Sequence, residues 1–166
     1  VARVLSAPVT TGTVIAGQAL GRFAIAFVQG AYIMGGSSLL FGVQWGALWL
    51  SLLVLVLFCA VSASAAMVLG SVMDNENAAS GVGVGAGLVL AGLGGAMFPL
   101  ELFPDAMRRV SRFVPHSWAY EAYADLQRRD GTLSDIAVSL GVLAAMAGVL
   151  LAIGGVLLRR SMARAM

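Results

Sequence analysis

The chain has 166 residues, 60% of them hydrophobic and 11% charged, with a mean hydropathy of +0.93 and a formal net charge of +2. Ordinary globular domains carry about 25% charged residues, and a small soluble fold cannot hide this much apolar surface. These figures exclude a water-soluble domain and point to the bilayer as solvent. The small net charge, carried entirely by arginine with no lysine, leaves no footprint for nucleic acid as a partner.

The opening "VARVLSAPVTTGTV" has neither the cationic start and apolar core nor the cleavage site of a signal peptide, and reads as the middle of a longer protein. Four apolar stretches then meet the roughly 20 residues a helix needs to cross about 30 Å of hydrocarbon. They run from about Phe23 to Phe41, Trp45 to Val72, Ala78 to Phe98 and Ile136 to Leu158. Backbone groups in lipid must be paired within the segment, so each is a helix. The expected fold is an all-α membrane protein, a polytopic bundle of four transmembrane helices in one permease-like domain over 1–166.

The joints have their own chemistry. "FGVQW" is short, and Trp45 and Trp49 suit an interface belt. "SVMDNENAAS" is a polar turn in which Asn77 or Ser80 is positioned to cap the next helix. "TLSDIA" reads as a capping signal, with Thr132 or Ser134 as cap and Asp135 in the first turn. Arg22 sits close enough to the end of the first span to act as an anchor.

Between the third and fourth spans lies a polar island, residues 99–135, expected as an extracellular cap. Pro104 followed by Asp105 starts a short helix, with Phe103, Met107, Val110 and Val114 on its apolar face and Asp105, Arg108, Arg109 and Arg112 opposite. Pro115 ends or kinks it. A second amphipathic helix follows, with Trp118, Ala119, Ala122 and Leu126 as its apolar stripe and Glu121, Asp125 and Arg129 as an exposed ladder. Arginines are equally numerous at the chain ends and in the island. Those of the island are interleaved with acids such as Glu101 and Asp125, so both ends are placed in the cytoplasm.

Three chemical readings compete with a structural one. His116 beside Ser117 invites a hydrolase, but neighbouring helical positions point in different directions and a triad is a matter of geometry. One histidine and the lone Cys59 give no metal site. "SGVGVGAG" lacks the lysine of a phosphate loop and follows a polar turn rather than a strand. Its Gly81, Gly83, Gly85 and Gly87, with Gly95 further on, fall at the four-residue spacing that lets membrane helices approach closely. The spans hold no deep charge for an ion-coupled pump, which suits a path for apolar or amphipathic cargo.

Two stretches, "RVLSAPVTTGTVIAGQAL" and "MFPLELFPDAMRRVSRFVPHSWAYEAYADLQRRDGTLSDI", resemble the ABC-2-type permeases, membrane subunits of ATP-binding-cassette exporters. The resemblance implies six spans in the whole protein, with the first two lying before Val1. It makes residues 1–20 a cytoplasmic docking loop, in which Arg3, Leu5, Ser6, Pro8, Val9 and Thr10 contact an ATPase partner. It makes Pro99, Glu101, Pro104, Pro115, His116 and Trp118 the motif of the extracellular cap. It also implies a second permease chain, identical or not, a bacterial plasma-membrane location, and ATP and magnesium held by the partner ATPase, with no cofactor on this chain. A membrane-embedded enzyme using His116, and a non-transporting membrane scaffold, are the alternative readings.

Overall fold

The computed structural model describes residues 10–73 and 75–164. The described residues form six α-helices and no strand: α1 (Thr11–Phe41), α2 (Leu48–Val72), α3 (Glu76–Leu93), α4 (Asp105–Ser111), α5 (Pro115–Arg128) and α6 (Leu133–Arg164), with a 3-10 turn at Leu100–Leu102. Three helices are long and apolar enough to cross a membrane, over Gly12–Phe41, Leu48–Val72 and Leu133–Ser161.

The first of these starts well before Phe23. Thr10 accepts a hydrogen bond from the Thr13 backbone N–H at 3.3 Å, so helix forms from Thr11 onward despite the polar Gln18 and Arg22. It ends at Gly42, whose φ of +66° closes a left-handed cap, with its N–H donating to the Ser38 carbonyl at 3.1 Å. The third predicted span is shorter than expected. Asn75, rather than Asn77 or Ser80, caps α3 by accepting from the Asn77 and Ala78 N–H groups at 2.9 and 3.2 Å. The helix stops at Leu93 instead of Phe98, because the chain turns at Gly94 and Gly95, where φ reaches +89°. Its apolar run, Asn77–Leu93, falls below the length of a clear span.

α2 is the centre of the bundle. In its most apolar window 39% of residues are buried, against 6% in α1 and 17% in α6. One face, with Leu50, Val54 and Val61, packs with Ile136, Leu140 and Leu143 of α6 and with Ala119, Ala122 and Leu126 of α5. Its other face, Leu55 and Cys59, meets Met34 of α1, backed by Phe27 and Trp45. Lipid is as apolar as these side chains, so it is close packing and hydrogen bonding that hold such helices together. The serines of α2 pair locally: Ser64 donates to the Ala60 carbonyl and Ser71 to that of Met67, both at 2.7 Å.

Arg22 does more than anchor. It reaches from α1 to α2, donating to the Ala66 carbonyl at 3.0 Å and to Gln18 Oε1 at 3.3 Å. Trp45 is held in the turn between α1 and α2. Its indole N–H turns inward to the Met34 carbonyl at 3.1 Å and Ser37 Oγ at 3.2 Å, whereas Trp49 is exposed.

Candidate functional site

The segment from Pro99 to Asp135 folds over one end of the bundle, with α5 packed against α2, α3 and α6. Pro99 precedes the 3-10 turn, Pro104 precedes α4, and Pro115 is the first residue of α5, where its missing N–H costs nothing. α4 has only seven residues, and its inward face differs from the predicted stripe. Phe103, Ser111 and Val114 are buried, while Met107 and Val110 are exposed, because the helix ends at Ser111 before the stripe can continue. The α5 stripe is as predicted at Ala119, Ala122 and Leu126, with Trp118 half-buried.

Charged links tie these pieces together. Arg128 pairs with Glu101 at 2.7 Å, and Tyr120 donates its hydroxyl to the same carboxylate at 2.9 Å. Arg112 pairs with Glu121 at 2.8 Å and lies 5.0 Å from the centre of the Trp118 ring, whose N–H donates to the Arg112 carbonyl. Asp125 and Arg129 form the expected i,i+4 pair at 2.8 Å. Thr132 and Asp135 close a capping box at the start of α6, with the Thr132 N–H donating to Asp135 Oδ2 at 2.7 Å.

Backbone and Tyr120 hydrogen bonds, then Arg128, hold the Glu101 carboxyl below its ordinary range. A depressed folded-state pKa adds stability that is present above the unfolded value of about 4.3 and is lost as pH falls through the folded value. Glu101→Gln is therefore expected to lower the thermal midpoint slightly at pH 6, the pair being exposed and screened. The gap from wild type should close as the pH is taken below about 4. A gap that persists undiminished into acid would contradict this account of the link.

Under α5 opens a cleft of about 580 Å³. Ile33 of α1 and Phe58 of α2 contribute its apolar wall, with Ala96 from the turn after α3. His116 and Tyr123 line it from α5, and Gln127 and Arg128 sit at the end of that helix. The His116 ring stands edge-on to Phe58 at 4.9 Å, and its Nδ1 is buried without a partner. Burial pushes its pKa down, favouring the neutral imidazole. Tyr123 packs edge-on against Trp45 at 5.4 Å and donates to the Ser51 carbonyl at 3.2 Å, while Ser51 in turn donates to the carbonyl of Trp45. Burial also raises the Tyr123 phenol, keeping it a donor.

The geometry does not build a hydrolase. The Ser117 hydroxyl is buried and donates to the Ser111 and Val114 carbonyls at 2.6 and 2.8 Å, away from His116. Among the described residues no group of three His, Cys, Asp or Glu is positioned to hold a metal. Of the docking residues, Thr10 is the cap of α1, while Arg3, Leu5, Ser6, Pro8 and Val9 lie outside the described residues. Of the packing glycines, Gly81, Gly85 and Gly87 have open space beside them, and only Gly83 faces α2, with Leu69 3.3 Å from where a Cβ would stand. Gly95 belongs to the turn after α3, pressed against Leu100 and Tyr120.

Long apolar helices around a central span, closed at one end by short amphipathic helices, define a multi-pass membrane protein. The chain belongs to the ABC-2 transporter family: it matches the ABC-2 family transporter protein over residues 1–156. It is also similar to the linearmycin resistance permease protein LnrN of Bacillus subtilis (strain 168), with 23% identity over 143 residues. That alignment covers 86% of this chain and 37% of the relative, so the chain spans about a third of the curated relative's length. No solved structure matches the chain.

Proposed function

We propose that this chain is part of an export permease in which a separate ATP-binding-cassette ATPase supplies the energy and the helices carry an amphipathic or apolar cargo. The family match over residues 1–156 is the observation that carries this reading. The sequence has no lysine for a phosphate loop, and α2 holds no charge to couple an ion gradient. A relative named for linearmycin resistance supports a drug, antibiotic or lipid-like molecule as cargo.

In this reading α1, α2, α3 and α6 all cross the membrane, with both chain ends cytoplasmic and residues 99–135 outside. The 18 residues of α3 span about 27 Å at 1.5 Å per residue, which suits a thin bilayer. The unfilled space beside Gly81, Gly85 and Gly87 is where we place a second permease chain. Topology is checked by placing a cysteine at exposed Ala106 in a background without Cys59. An impermeant maleimide should label it in intact cells, and labelling only after permeabilisation would invert the arrangement.

The ATPase docks, in this reading, on the segment from Arg3 to Thr13, just ahead of and into the first turn of α1. Leu5→Asp with Val9→Asp is expected to abolish ATPase co-purification and cut export at least tenfold, while the chain still inserts. Unchanged co-purification and export would remove this docking site from the mechanism.

A further inference from the structure

The transport reading leaves the cleft under α5 without a role, and its chemistry is selective. We propose that it binds one drug-sized amphiphile, neutral or anionic, with the apolar end down against Ile33 and Phe58 and the polar head at Gln127 and Arg128. The assignment rests on the transport reading only in treating that molecule as cargo.

Size, depth and charge each support it. A volume of about 580 Å³ falls inside the range of about 300–1,000 Å³ typical of small-molecule sites. Ile33 lies eight residues before the end of α1 at Phe41, and Phe58 ten residues after the start of α2 at Leu48. At 1.5 Å per residue these side chains are about 12 and 15 Å below the helix ends. Gln127 and Arg128, by contrast, are exposed at the end of α5. Polarity therefore falls with depth as it does in a leaflet, which orients an amphiphile head outward.

Charge decides the class. Among the described residues no carboxylate lines the cleft, and Arg128 is the one formal charge. Glu101, which pairs with Arg128 and offsets part of its charge, lines a neighbouring charged hollow that shares Tyr120 and Ala124 with the cleft. The Glu101 and Tyr120 contacts engage Nη1 and Nη2 of Arg128, leaving other guanidinium N–H groups to donate to an incoming oxygen. His116, whose neutral form burial favours, supplies no counter-charge. A cationic head would face Arg128 and find no carboxylate among the lining residues, only the ring faces of Trp45, Phe58, Tyr120 and Tyr123. A carboxylate, phosphate or hydroxyl head would accept hydrogen bonds from Arg128 and Gln127.

The test uses the full-length permease in lipid nanodiscs without the ATPase and with its native cysteines removed. A single cysteine replaces Ala96 in the cleft or Ala106 on the exposed side of α4, and the rate of maleimide labelling is followed. Dodecanol, dodecanoate and dodecyltrimethylammonium are compared at one membrane loading. The first two are expected to slow labelling at position 96 at least fivefold and to leave position 106 unchanged, with no protection by the cation. Arg128→Gln should cancel the advantage of dodecanoate over the cation. Equal slowing at both positions, equal protection by all three amphiphiles, or a position-96 thiol that is unreactive before any amphiphile is added would overturn the proposal, the last because protein then fills the cleft. Co-purification of the ATPase is scored on the same variants. Loss of protection with the ATPase still bound defeats the binding site alone, whereas protection without any ATPase partner defeats the transport reading alone.

Discussion

Replacing Gly46 by alanine is expected to cost the fold about 3–5 kcal/mol and to strip the cap helix from the bundle. Gly46 lies in the turn between α1 and α2 with a φ of +71°, a conformation worth about 1–2 kcal/mol of strain for a residue with a side chain. The larger part is a collision. An alanine Cβ would stand 2.8 Å from the carbonyl carbon of Leu126 and closer still to its oxygen. Those atoms are backbone near the end of α5, so no rotamer change relieves the contact. The same turn carries Trp45, and α5 carries Tyr123, so parting them also breaks the edge-on pair and the hydrogen bond to Ser51. Gly21→Ala is the control: nothing lies within 4 Å of its Cβ, and a helix-interior alanine gains about 0.5–1 kcal/mol over glycine. Thermal unfolding in detergent compares the two, and a Gly46→Ala midpoint equal to wild type would refute the packing described for this turn.

Leu143→Ala is expected to cost about 2–4 kcal/mol, while Val149→Ala, about one and two-thirds turns along the same helix, is near neutral. Leu143 is fully buried in the cluster shared by α2, α5 and α6, whereas Val149 is 59% exposed. Truncation at 143 leaves a void that lipid does not enter, so the contacts of its neighbours are lost outright. At 149 a lipid tail replaces the missing methyl groups. Equal midpoints for the two variants would mean that α6 presents a different face to α2.

Much of this was legible in the sequence, and the misses share a cause. Hydropathy finds the long helices because composition alone determines them. It places the first start at Phe23 because Gln18 and Arg22 dilute the window, although a helix needs only its cap, supplied by Thr10, and a backbone partner for the arginine. The end of α3 was obscured for the opposite reason: Gly94 to Phe98 remain apolar while the backbone turns. The stripe of α5 was readable from its spacing, but that of α4 was not, since seven residues make too few turns to define a face. The cleft left no local signal. Ile33, Phe58 and His116 come from segments far apart in the chain, and only the position of His116 just after a helix-starting proline hinted that its ring would be held in place.

α1 is a single rod tied to α2 at two heights. No proline interrupts it between Thr11 and Phe41, and the bond from Arg22 to the Ala66 carbonyl pins it about a third of the way along. At 1.5 Å per residue the short arm from Thr11 to the pin measures about 17 Å, and the long arm from the pin to Phe41 about 28 Å. The long arm is held again where Met34 packs against Leu55 and Cys59 and its carbonyl accepts the Trp45 N–H, so α1 meets α2 as one rigid rod. Ile33 and Ser37 ride on the long arm and line the cleft.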